Sequence, residues 1–216
     1  MKSSAACAVS LILLLVRAPA GAGPDETGLD ELLAGMASTR GVAAEFQERR
    51  EVALLVEPLE SRGILYFVPP DRMARFTTEP AFSALVADGG ALRFRDTPDG
   101  PEMDLSGSPM ASAFIENFMA VFSGDRRRLE RVYVARLATR GEAWELALSP
   151  RGLPLAHFIE SVTLRGDAGG MREFEVREVD GDRTLMRFVS VELDRSFDSV
   201  ELETLFGERR PLAKVR

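Results

Sequence analysis

The chain has 216 residues, with 27 Lys+Arg against 34 Asp+Glu, and its formal net charge of −7 excludes sequence-independent nucleic-acid binding, which needs cations along the phosphates. Residues 1–22 hold two cations (Lys2 and Arg17), no acid, and the single cysteine Cys7; without them the net charge moves from −7 to −9, and thiolate catalysis, thiolate metal ligation and disulfides are excluded too. His157 is the lone histidine, which excludes chemistry built on paired imidazoles, and the aromatic residues are skewed to 13 Phe against 2 Tyr and 1 Trp, every Phe lying beyond residue 45.

The first segment reads as an export signal. Lys2 gives it a positive start, Ala5 to Val16 an apolar run, and Ala18-Pro19-Ala20-Gly21-Ala22 small-residue cleavage options, with cutting after Ala22 preferred. The apolar run of roughly 12 residues is short for a bilayer span, and no later stretch approaches the roughly 20 required. The expected products are a signal peptide over 1–22, cleaved on export, and one domain over 23–216.

A helix follows. Leu29, Leu32, Leu33 and Met36 fall at i, i+3, i+4 and i+7, Asp30 and Glu31 stand in the first turn, and Arg40-Gly41 closes it. The period then changes to two. Ile64 to Val68 is apolar on both faces and stops at Pro69-Pro70, so it reads as a buried strand. Phe82–Ala87 and Ala91–Arg95 flank Asp88-Gly89-Gly90 as a hairpin, in which Leu92 and Phe94 share one face. Further strands are expected at Arg131–Thr139, Ala143–Leu148, His157–Arg165, Met171–Val179 and Thr184–Leu193. Trp144, Leu146 and Leu148 alternate with polar or small residues, as do Phe174 and Val176, so each strand has one dry face. Eight or more such antiparallel strands curl into a barrel or a strongly bent sheet.

One helix interrupts the strands, over about 109–123. Ser108-Pro109 starts it, Met110, Phe114, Phe118 and Phe122 follow at intervals of four with Ile115, Met119 and Val121 beside them, and Gly124 stops it. A helix this apolar is buried nearly all round. Two readings stay open on the residues alone: a core helix plugging a barrel, or a lid over an apolar cavity whose Phe and Met side chains adapt to varied acyl shapes.

Motifs for catalysis are missing. There is no HExxH, phosphate loop or Gly-x-Ser-x-Gly elbow; His157 reads as structural, Ser106-Gly107-Ser108 as loop and cap, and Glu201/Glu203 as part of a solvated acidic stretch. Arg126-Arg127-Arg128 fits a dipole partner at the helix end, a solvated turn, or a contact with anionic headgroups or an acidic partner. The chain does not read as an enzyme, and neither a metal nor a cofactor is expected.

Several segments fall in a known order: Phe46-Gln47, Gly63 to Phe67, Pro70 to Phe76, Glu79-Pro80, Leu85 to Gly89 and Leu92 to Asp96. Over about residues 29–125 this resembles the periplasmic outer-membrane lipoprotein carrier (LolA-like) family. The resemblance implies a mainly β fold, a curved, incomplete antiparallel barrel closed by a helical lid over a hydrophobic cavity. It also implies a monomer that takes acyl chains of lipoproteins or other lipids from an inner-membrane transporter to an outer-membrane acceptor, in transient membrane-complex contact. Phe67, Phe76, Phe94, Phe114, Phe118, Met119, Phe122, Trp144, Leu146 and Phe174 are then the expected cavity lining. Family carriers place a gating arginine just before the proline that ends the strand; here that position is Pro69, leaving Arg72 and Arg75 as substitutes and pointing to a divergent paralogue with its own lipid cargo. The alternative on the same scaffold is a periplasmic sensor or regulatory module that binds protein through sheet edge and lid.

Overall fold

The computed structural model describes residues 26–108, 115 and 118–207; the expected signal, Met110 and Phe114 lie outside them. Helix α1 (Glu26–Ser38) precedes β1 (Val42–Glu51), β2 (Leu59–Val68), β3 (Arg72–Glu79), β4 (Ser83–Asp88), β5 (Ala91–Arg95) and the short β6 (Met103–Asp104). Helix α2, seen at residues 118–122, and α3 (Arg126–Val132) lead to β7 (Tyr133–Arg140), β8 (Ala143–Pro150), β9 (Ile159–Asp167), β10 (Gly170–Glu178) and β11 (Arg183–Glu192). Helix α4 (Ser199–Phe206) follows the last strand.

All eleven strands form one antiparallel sheet in the order β6-β5-β4-β3-β2-β1-β11-β10-β9-β8-β7. Two meanders, β1–β6 and β7–β11, are therefore joined where β1 pairs with β11, and the connection carrying α2 and α3 runs between the two outer strands. The sheet is curved and open. Register breaks at Glu45/Phe46, Arg62/Gly63 and Met171/Glu173 mark bulges, which add local twist and bend. Gly63 is needed at one of them. The Phe46 ring lies across it, and a Cβ there would come within 1.9 Å of the Phe76 carbonyl.

Because side chains alternate across a strand, the curl gives the sheet two distinct faces. The concave face gathers Phe46, Leu65, Phe67, Leu146, Leu164 and Phe174 into the main core, with Leu29 and Leu33 of α1 and Phe118 and Met119 of α2 packed into it. On β1–β4 the convex face is also apolar. Ala43, Tyr66, Ala74, Phe76, Ala84 and Val86 form a second core that Leu205 and Phe206 of α4 cover. This is why Ile64 to Val68 is apolar on both sides. The acidic C-terminal stretch is the helix that covers this second core, burying Leu205 and Phe206 while Glu203 stays exposed. Asp198 caps it through the amides of Val200 and Glu201, and Glu201 returns the bond to the amide of Asp198. Arg93 donates to the Phe206 carbonyl and Arg72 lies over the Phe206 ring, tying the helix end to the sheet.

Three expectations need correction. Arg126-Arg127-Arg128 is neither a loop turn nor a helix C-terminus; it is the N-terminal turn of α3, capped by the Asp125 carboxylate on the Arg128 amide at 3.0 Å. Arg126 bridges Asp30 of α1 at 2.6 Å and Glu130 at 2.9 Å, so α1 and α3 are pinned together. His157 belongs to a short 3₁₀ turn (Leu155–His157) before β9, and the strand expected at Arg131 begins only at Tyr133.

The convex face of the second meander is ionic. Glu175, only 2% exposed, receives Arg165, Arg177 and Arg183, each at 2.9 Å, while Arg165 reaches Glu145 at 2.7 Å and Arg187 reaches Glu173 at 2.9 Å. Burial pushes the Glu175 carboxyl up, but hydrogen bonds from Arg183 and Arg165 outweigh it and hold the group at about 2. A carboxylate held below its ordinary value of about 4.3 adds stability at higher pH and loses it on protonation. Stability of the folded protein is accordingly expected to fall as pH drops from about 4.3 towards 2. Glu175→Ala is expected to cost about 1–3 kcal/mol at pH 7 and to flatten that slope, as measured by urea unfolding across the pH range.

Candidate functional site

The concave face is filled at its centre by phenylalanine. Phe118 and Phe122, one helical turn apart on α2, stack with ring centroids 4.0 Å apart and planes inclined by 18°. Phe174 of β10 meets Phe118 and Phe122 at 5.8 Å each, and Phe67 of β2 meets Phe122 at 6.2 Å. The four rings thus join the lid to both halves of the sheet. At the helix end, Gly124 adopts φ +67, and a Cβ there would sit 2.3 Å from the Leu33 carbonyl, so glycine alone lets the lid terminus close against α1.

On each side of this cluster lies a chamber. The first, about 490 Å³, runs under α1 and is walled by Leu32, Met36, Phe67, Phe122, Trp144 and Phe188 among others. The second, about 590 Å³, lies towards β3 and the segment before β9, against Met73, Leu85, Phe118, Phe158, Phe174 and Met186. Leu65 lines both. Both are lined mainly by apolar side chains. Trp144 is set in place by two contacts: its indole N–H donates to the Asp167 carbonyl at 3.2 Å, and its ring lies over Gly166, the residue paired with it on β9.

Polar groups edge both chambers, Glu31, Thr39, Asp167 and Asp194 at the first and Glu48, Arg50, Arg75 and Glu178 at the second, and among these lining residues the cations Arg50 and Arg75 belong to the second. Arg75 and Glu48 pair at 2.9 Å on its wall, with the Arg75 guanidinium 4.7 Å from the centre of the Phe46 ring. Glu48 also accepts from the Ser61 hydroxyl at 3.3 Å. A partly buried guanidinium beside apolar walls is suited to hold an anionic or carbonyl headgroup while hydrocarbon occupies the interior.

Of the expected lining, Phe67, Phe118, Met119, Phe122, Trp144, Leu146 and Phe174 meet on the concave face. Phe76 does not join them. On β3 residues 72, 74 and 76 share one face and 73 and 75 the other, so Phe76 packs edge-on to Tyr66, at 6.1 Å, in the second core. Parity also separates the two expected gate residues: Arg75 faces the chamber, whereas Arg72 lies on the convex side, bound to Asp88 at 2.8 Å and to the Phe206 ring. Phe94 is half-buried beside Leu85 in the adjacent strand and borders neither chamber. Phe114 lies outside the described residues. Missed by sequence reasoning were Leu32 and Met36 of α1, Phe158, Met186 and Phe188; the alternation of β11, with Met186 and Phe188 two apart, was the available signal.

This arrangement defines an open, lidded antiparallel half-barrel with an apolar interior. The sequence matches, over residues 21–195, the family model described as outer membrane lipoprotein carrier protein LolA-like, and the chain belongs to that family. Among curated proteins, none matches it in sequence. Solved structures similar to it include a chain of the Pseudomonas aeruginosa MucA/MucB complex, at 16% identity and a TM-score of 0.47, covering 81% of this chain and 58% of that one. A LolA superfamily protein from Nitrosomonas europaea is 12% identical with a TM-score of 0.42, over 83% and 98% of the two chains. LprF from Mycobacterium bovis is 9% identical with a TM-score of 0.42, over 82% and 97%. The protein thus spans little more than half of the MucA/MucB chain that it matches.

Trp144, the single tryptophan, reports on the first chamber. Gly166→Val is expected to displace its ring, shifting emission to longer wavelength and lowering stability by about 1–3 kcal/mol in chemical unfolding.

Proposed function

We propose that the protein is a periplasmic carrier that holds the acyl chains of a lipoprotein or another lipid beneath α2 and moves them between membranes, without catalysis. The observation that carries this reading is the Phe118/Phe122 stack seated on the concave face with an apolar chamber on either side. Each methylene exposed to water costs about 0.8 kcal/mol, so an acyl anchor crosses an aqueous compartment only under cover. Release matters as much as capture. Phenyl rings and methionines that fill the space between the chambers without polar bonds can be displaced by hydrocarbon and can return when it leaves. Arg75, paired with Glu48, is the proposed polar anchor at the chamber wall. Family membership supports the cargo class, and Pro69 in place of the usual gating arginine supports a specialised cargo.

Purified protein is expected to take up a fluorescent fatty-acid probe. Phe118→Asp, which puts a charge between the chambers, is expected to weaken uptake at least about tenfold with far-ultraviolet circular dichroism unchanged. Phe118→Ala, which keeps the site apolar and opens more space, is expected to retain uptake. Equal uptake by wild-type and Asp variant would remove α2 from the binding site.

A further inference from the structure

One end of the sheet carries an exposed apolar rim. The β1–β2 loop presents Leu54 at 94% exposure and Val56 at 103%, with Leu55 half-exposed between them. The loop before β9 presents Leu153 at 81% and Phe158 at 44%, and the β10–β11 turn adds the exposed Val179. These three loops are bonded together. The Ala53 amide donates to the Asp182 carboxylate at 2.9 Å, and the Val179 amide donates to the Phe158 carbonyl at 2.9 Å. The second chamber reaches this end, since Phe158, Pro154, Arg50 and Glu178 all belong to its wall. Phe158 is therefore both chamber wall and exposed surface.

We infer that this rim is a docking surface for a lipid bilayer of zwitterionic character, and that it sets the mouth of the second chamber against the membrane. Separate apolar tips this exposed offer no groove for a protein partner to interlock with, whereas each can enter the headgroup region on its own. Charge favours the same occupant. Residues 52–56 and 152–156 carry no charged side chain. Of the cations that flank them, Arg50 is already paired with Asp182 at 3.2 Å and Glu178 at 3.4 Å, and Arg151 donates to the carbonyls of Glu130 and Tyr133. The remaining charges, Glu57 and Asp180, are acidic and disfavour an anionic surface. The inference rests on the carrier reading for its purpose, because a chamber that opens at the bilayer lets hydrocarbon leave without crossing water.

Flotation of the protein, purified after export, with phosphatidylcholine vesicles tests it without any cargo. Wild-type protein is expected to float. L54D/V56D, and separately Leu153→Asp, are expected to lower the partition coefficient by roughly tenfold or more while leaving fatty-acid probe uptake in vesicle-free buffer unchanged. Wild-type protein that stays at the bottom of the gradient, variants that float equally well, or flotation confined to phosphatidylglycerol vesicles would each overturn it. So would a wild-type dimer that the tip substitutions dissolve, since the rim would then serve a second copy. Loss of probe uptake with flotation intact would instead count against the carrier reading and leave the docking surface standing.

Discussion

The packing of two stacked phenyl rings from α2 against one ring from each half of the sheet is the contact on which the interior depends. The eleven-stranded sheet leaves its apolar concave face open, because β6 and β7 stand at opposite ends of the strand order and do not pair. Water is kept from that face by whatever the chain lays across it. The covering segment is the connection between those two edge strands, and its Phe118 and Phe122 touch Phe67 and Phe174 from the two meanders together. Four rings fill the middle, and the space on either side is left as chambers. A tighter filling would make a plug; this one makes a divided interior.

The outer face answers a different demand. The second meander turns outward a ladder of arginine and glutamate around the buried Glu175, in which these charges pair with one another. The first meander turns outward a second apolar surface, and α4 covers it. Gly41 permits this closure, since a Cβ there would come within 2.6 Å of the Phe197 ring, which itself lies edge-on to Tyr66 at 6.1 Å. Arg40 and Asp194 lock the same corner at 2.8 Å. The N-terminal helix, the last strand and the C-terminal helix are thereby held as one unit around the β1–β11 junction.

Much of this could be read from periodicity. The stripe of Leu29, Leu32, Leu33 and Met36 specified α1, and two-residue alternation at Trp144 to Leu148 and at Phe174 to Val176 specified strands with one dry face. The Phe repeat at intervals of four placed Phe118 and Phe122 on one side of α2. Alternation fixes parity within a strand but not which parity faces inward, and on β3 both faces are dry. Phe76 and Arg72 were therefore assigned to the interior although they face α4. The helices α3 and α4 escaped notice because their polar residues, Arg126 to Arg128 and Glu201 and Glu203, look solvated until their caps at Asp125 and Asp198 are seen. The chambers themselves arise from long-range curvature, to which bulges at Glu45/Phe46 and Arg62/Gly63 contribute, and no local pattern in the sequence encodes their volume.

Carrying a lipid requires an interior that is apolar and covered, and the rings of Phe67, Phe118, Phe122 and Phe174 form an apolar, covered centre. Native mass spectrometry of the protein purified after export, paired with chloroform extraction of the same sample, reads the occupant directly. Mass additions matching one or more acyl lipids, released on extraction and lost in Phe118→Asp, are expected. A spectrum showing the bare polypeptide from both wild type and variant, under conditions that preserve other lipid complexes, would contradict a lipid-carrying interior and point to a binding module for protein on the same scaffold.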